Sequence, residues 1–218
     1  MNIGIFGAGN IGAAVAKLAA DVGHDVMISS RHPQHLVARA ATIGCRAGTI
    51  EQAASHGELC LAAIPLNALE SLPAALLAGK IVIDAMNYYP DRDGRIVALD
   101  QRLITTSELV ARHLQHATIV KAINAILAQD LPIDSRPSIP TGRRALPIAG
   151  DDPHANQVVA SLLAEFGFDT LDTGPLAESW RFERAKPAYC IPLDKPGLIQ
   201  ALKAATRETE LPDGSWRR

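Results

Sequence analysis

The sequence predicts an α/β fold: a Rossmann-type doubly wound, mainly parallel sheet with a small C-terminal extension. Three observations carry this. Strand-like and helix-like segments alternate from the first residues, a glycine-rich string joins the first strand to the first helix, and the later strand segments are apolar runs suited to burial on both faces.

The elements follow in order. Residues 3–6 read as a strand and 10–22 as an alanine-rich helix, on which Ile11, Val15, Leu18 and Val22 recur at helical spacing to face the sheet before Gly23 stops it. A strand at 25–29 and a helix at 33–43 complete the first right-handed crossovers. Further strands are expected at 58–64, 80–85 and 117–123, with helical connections at 67–77 and 105–116. Residues 127–144 contain Pro132, Pro137, Pro140 and Gly142, and read as a long loop. The alternation resumes with a strand at 145–149, a helix at 153–166 and a strand at 168–172, an extension of the sheet rather than an independent domain. The chain therefore divides into a dinucleotide-binding unit, 1–125, and a C-terminal part, 126–218. A last helix at 194–207 lines up Leu198, Ile199, Leu202 and Ala205 for packing internally or across a dimer, and the tail from 208 is expected to fray.

The 218 residues carry a net charge of −2, so any anion site must be a local cluster, and neither nucleic acid nor a membrane surface is an expected partner. Cys45, Cys60 and Cys190 lack C-x-x-C spacing, which argues against disulfides or zinc and fits a reduced, cytoplasmic setting. Cys60, inside an apolar run, reads as a small hydrophobe. The first residues lack a basic leader region, and no apolar run reaches membrane-spanning length. The seven histidines show no metal-ligand spacing, and no Ser/His/Asp or Cys/His signature supports hydrolysis.

Gly7-Ala8-Gly9-Asn10-Ile11-Gly12 is a G-x-G-x-x-G string, specific here because it follows a strand and opens a helix. Gly7 permits the tight turn, Gly9 the approach of a pyrophosphate and Gly12 close helix–strand packing. The helix N-terminus then offers backbone N–H groups to the phosphates. The second strand distinguishes the cofactor. An NAD site places a carboxylate at this strand's C-terminal end, roughly 20 residues beyond the glycines. Here that end reads Ser29-Ser30-Arg31-His32, and after Asp25, at the strand's other end, no Asp or Glu occurs until Glu51. Ser30 and Arg31 therefore suit the 2′-phosphate of NADP(H). His35 and Arg39 either reach that phosphate or are solvated surface groups.

At the nicotinamide end, Ala63, Ile64 and Pro65 are small and apolar enough to let the ribose approach backbone. Asn87 is either a cofactor or substrate contact or a turn residue. Lys121 and Asn124 either polarise a carbonyl or serve structure and cofactor contact. No catalytic residue is assigned. Hydride exchange between two cofactors needs mainly stacking and orientation, which favours an acceptor that is itself a ring system.

On these residues the chain resembles the NADP-dependent deazaflavin oxidoreductases, which exchange hydride between NADPH and the coenzyme called factor 420. The resemblance rests on Ile3 through Gly12, Ser30-Arg31, Ala63-Ile64-Pro65 and Lys121-Ala122-Ile123-Asn124, and later on Ile148-Ala149-Gly150-Asp151-Asp152 and Gly167-Phe168. It implies a Rossmann domain, a small C-terminal portion forming the second-substrate cleft, a deazaflavin or flavin as second substrate, and often a homodimer. The same N-terminal module is similar to that of pyrroline-carboxylate reductases and metalloreductases. The segments 87–95 and 180–184 look like a subgroup's elaborations. Two further readings stay open: reduction of a small carbonyl or imine, with Lys121 as proton donor, and a non-catalytic NADP(H)-sensing module.

Overall fold

The computed structural model describes residues 1–139, 141–212, 214 and 215. Pro140, placed by its sequence in a loop, and residues 213 and 216–218 of the tail lie outside them.

The predicted fold class is what forms. Strand β1 (Asn2–Phe6) leads through the glycine turn into α1 (Asn10–Asp21), then β2 (Asp25–Ser29), α2 (Val37–Ile43), β3 (Arg46–Gly48), α3 (Ile50–His56) and β4 (Leu59–Ala62). The chain continues through α4 (Ala74–Leu77), β5 (Ile81–Asp84), α5 (Pro90–Asp93), α6 (Val97–Asp100), α7 (Thr106–His113), β6 (Thr118–Lys121) and α8 (Asp130–Asp134). It closes with β7 (Ala145–Gly150), α9 (Pro153–Glu165), β8 (Asp169–Asp172) and α10 (Lys195–Ala204). The strands lie in the order β3-β2-β1-β4-β5-β6-β7-β8. β1 to β6 pair in parallel, β7 joins β6 antiparallel and β8 runs parallel to β7. The order reverses between β1 and β4, which opens a crevice above their C-terminal ends.

Successive side chains of a strand point to opposite faces, and both faces are covered. Ile3, Ile5, Val26, Ile28, Leu59 and Leu61 pack on the side of α1 and α9. Phe6, Cys60, Ala62 and Val82 pack on the other side with Val110 of α7. Cys60 is the small hydrophobe its run predicts, and burial pushes its thiol up to about 11. A third cluster, with Phe182, Tyr189, Leu198 and Leu202, covers β7. Helix α10 thus packs internally.

Several boundaries differ from the sequence expectation. The helix expected at 67–77 is a 3-10 turn, Leu66–Ser71, followed by the single turn α4. Pro73 lacks an N–H and disfavours helical geometry at Leu72, which divides them. The expected helix at 33–43 likewise begins as a 3-10 turn, Pro33–His35. Inside the proline-rich loop, α8 forms despite Pro132, whose missing N–H falls in the first turn where none is needed. Val22 ends α1 exposed rather than facing the sheet. The start of the tail, expected to fray, is docked as far as Leu211: Lys186 Nζ donates to the Thr206, Arg207 and Thr209 carbonyls, and Leu211 N donates to Ala185 O. No helix among the described residues is long and apolar enough to cross a membrane.

Candidate active site

The glycine loop occupies the crevice at the strand-order reversal. Gly7 has φ +99°, and a Cβ there would lie 2.6 Å from Ala63 O, so the residue after β4 closes directly on the turn after β1. The Ala63 N–H donates to Phe6 O at 2.9 Å, and Ile64 and Pro65 follow at the same edge. A Cβ on Gly12 would run into Gly7 O, which fixes how closely α1 crosses β1.

Gly9 is different. Its φ of −68° suits any residue, and a Cβ there would meet nothing within 4 Å. The protein's own packing does not require glycine at this position, which leaves the space over the helix start open. No side chain caps α1, so the first-turn N–H groups at Asn10 and Ile11 remain for an anion. Ala8 O accepts a 2.7 Å hydrogen bond from Arg39. Arg39 therefore braces the loop, a role its sequence did not reveal, while His35 is exposed and its ring lies 5.7 Å from that of His32.

At the end of β2, Ser29 is buried and donates to Ile5 O, which turns Ser30 outward. Ser30 Oγ accepts from His32 N at 3.0 Å, leaving its hydroxyl proton to donate. Arg31 is exposed, and among the described residues no hydrogen bond or ion pair engages its guanidinium. Asp25, at the far end of the strand, is held by Arg46 at 2.7 Å. The donor set and the opening above Gly9 fit a nicotinamide dinucleotide carrying a 2′-phosphate.

The ends of β5 and β6 form the second half of the site. Asn87 Nδ2 donates to Asn124 O at 3.0 Å, and Asn124 Nδ2 returns a bond to Asn87 Oδ1 at 3.2 Å. Asn124 is 3% exposed and also donates to Phe182 O, while its Oδ1 has no partner among the described residues. Between Lys121 and Asn124, Ile123 takes φ +63°, a strained conformation for a β-branched residue that sets the turn carrying Asn124.

Two tyrosines that sequence reasoning did not pair complete this region. The Tyr89 and Tyr189 hydroxyls share a hydrogen bond at 2.6 Å, with Asn87 Nδ2 3.5 Å from the second. Tyr189 is 4% exposed, and burial pushes its phenol far up, so it keeps its proton. The Arg92 guanidinium lies 4.6 Å from the Tyr89 ring centroid and donates to Asn87 O. The two phenols are 100 residues apart in sequence, and no local pattern joins them.

Of the two readings left open for Lys121, its surroundings favour the structural one over proton donation. Lys121 and Asp84 are both 0% exposed, with Nζ 3.1 Å from Oδ2. Asp84 also accepts from Ser107 Oγ at 2.6 Å and from Met86 N at 2.9 Å, and Lys121 donates to Met86 O. The pair ties the ends of β5 and β6 together beneath Asn87 and Asn124.

Fold and site together define a Rossmann-type dinucleotide-binding protein. Residues 2–88 match the family described as NADP oxidoreductase coenzyme F420-dependent. A solved structure of a putative F420-dependent NADP-reductase from Arthrobacter sp. FB24 is 27% identical, with a TM-score of 0.69, covering 82% of this chain and 87% of that one. The hypothetical protein SMa0349 from Sinorhizobium meliloti is 28% identical, with a TM-score of 0.77, covering 89% and 96%. The putative protein YjhV of Escherichia coli K12 is 38% identical over 66 residues, 30% of this chain. That match spans 48% of the relative, about half its length.

Proposed function

We propose that the chain is an NADP(H)-dependent oxidoreductase that transfers hydride between NADPH and a deazaflavin or flavin-like acceptor. The observation that carries the reading is the exposed Arg31 at the end of β2, unpaired among the described residues, where an NAD enzyme keeps a carboxylate, beside an uncapped α1 whose Gly9 leaves the pyrophosphate path open. The acceptor assignment rests on the family match over residues 2–88 and is supported by the Arthrobacter structure's likeness over most of both chains.

When bound, the nicotinamide supplies the hydride. The α1 N-terminus holds the pyrophosphate, Ser30 and Arg31 hold the 2′-phosphate, and Arg39 keeps Ala8 in place. Ala63, Ile64 and Pro65 present a small apolar edge on which a planar ring can lie. Asn87, fixed by Asn124, and Tyr89, fixed by Tyr189, supply polar groups on the acceptor side. Reduction of a small carbonyl or imine is the second reading, favoured by these paired amides and phenols; its proton source would be Tyr89 rather than Lys121.

Arg31→Ala tests the cofactor assignment. NADPH affinity should fall by about 10- to 150-fold, the worth of a charge-assisted hydrogen bond, and toward the low end because Arg31 is exposed. NADH affinity, already weak, should remain nearly unchanged, since the 2′-phosphate alone distinguishes the two. Isothermal titration of both cofactors at fixed ionic strength reads this directly. Equal loss of both affinities assigns Arg31 to shared binding, and loss of neither removes the basis for NADP(H).

A further inference from the structure

The two stretches that look like elaborations on the family pattern, residues 87–95 and 180–184, meet in the structure. Between them lies a cavity of about 280 Å³ with Tyr88, Pro90, Leu99 and Ile104 on one wall. Trp180, Thr106, the cations Arg102, Arg184, Lys186 and Arg207 and the carboxylates of Asp100, Glu183 and Glu210 line the rest. Tyr88 is the last residue the family match reaches, so almost all of this cavity is built from chain beyond the shared module.

Its charges are unequally matched. Each carboxylate on the wall has a partner: Asp100 takes Arg95 and the Tyr88 hydroxyl at 2.9 Å each, Glu183 accepts from Thr106 N at 2.7 Å, and Glu210 pairs with Arg102 at 3.1 Å. Two of the cations face neutral groups instead. Lys186 donates to three backbone carbonyls, and Arg207 donates to Ala177 O while lying 4.9 Å from the Trp180 ring centroid. Neutral partners satisfy the hydrogen bonds, and the nearby Glu210, Glu183 and Glu208 charges offset the burial of Lys186 only in part. Burial accordingly pulls the Lys186 ammonium below its ordinary value. Trp180 Nε1 is a buried donor on the same wall with no hydrogen-bond partner among the described residues, a donor left to be satisfied.

We propose that this cavity is an anion subsite that takes the carboxylate or phosphate group of the second substrate. Calling the occupant a second substrate rests on the oxidoreductase reading; the anion chemistry does not. Arg184 joins the cavity to the reaction region, because the guanidinium that lines it also lies 5.5 Å from the Tyr89 ring centroid. The volume is at the small end for ligand pockets, enough for an acid group on a single ring. A tricyclic deazaflavin would place only its acidic side chain here.

The chain has two tryptophans, so Trp216→Phe leaves Trp180 as the sole indole reporter. This protein is titrated, without nicotinamide cofactor, with benzoate, phenyl phosphate and the uncharged isostere benzamide. At least one anion should change Trp180 emission saturably and bind at least about tenfold more tightly than benzamide. Arg207→Gln, and separately Arg184→Gln, should weaken that anion by a similar factor and leave benzamide unaffected. Tighter benzoate supports a small carboxylate substrate, and tighter phenyl phosphate a phosphate-bearing side chain. Equal binding of benzamide, or no saturable response to any of the three, overturns the proposal. The outcome is separable from the cofactor reading: Gly9→Asp should keep the anion response while losing NADPH, and failure of wild-type protein to bind NADPH would leave the titration decisive for the cavity.

Discussion

Gly9→Asp should abolish NADPH binding while leaving the protein folded and its melting temperature equal or slightly raised. The two effects separate because glycine at this position serves the ligand rather than the chain. The backbone at Gly9 is in an ordinary region, a Cβ meets nothing within 4 Å, and the residue is the N-cap of an α1 that no side chain caps. Aspartate is a favoured N-cap, better than glycine by a few tenths of a kcal/mol. The same carboxylate would stand where the pyrophosphate crosses the helix start. Two unit charges about 4 Å apart near a protein surface repel by ~4 kcal/mol, about a thousandfold in affinity, before any steric overlap is counted. Thermal unfolding and NADPH titration on one preparation check both halves. Wild-type affinity in the folded variant would sink the assignment of the phosphate site.

Lys121→Met should produce the largest loss of stability. Asp84 would be left at 0% exposure with only Ser107 Oγ and Met86 N as partners, and Met86 O would lose a donor. Removing one partner of a buried pair costs about 3–5 kcal/mol, whereas replacing both with apolar groups is often close to neutral. The double variant Lys121→Met/Asp84→Leu should therefore recover much of the loss, as read by urea denaturation. If the single variant is as stable as wild type, the pair does not anchor β5 to β6. Should Lys121 instead be the proton donor, the double variant would regain stability and still bind NADPH but transfer no hydride.

The sequence by itself determined the dinucleotide half of the protein. Alternating periodicities and the string Gly7 to Gly12 are local signals, because a strand, a tight turn and a helix start are each made by neighbouring residues. The placement of Ser30 and Arg31 is equally local, since it follows directly from where β2 ends. Short elements were less legible. β3 and α3 went unassigned although Thr49 and Gln52 form a capping box, and the helix expected at 67–77 divides at Pro73 because the proline outweighs the apolar spacing. Tertiary structure alone decided the roles of Arg39, Lys121, Asn124 and the Tyr89–Tyr189 pair. A guanidinium bracing a loop 31 residues away, or two phenols brought together across 100 residues, leaves no periodic trace. Lys121 shows the physical reason most plainly. As a residue type it suits both proton transfer and burial in an ion pair, and the distinction depends on whether a carboxylate from the adjacent strand lies 3.1 Å away in a place water does not reach.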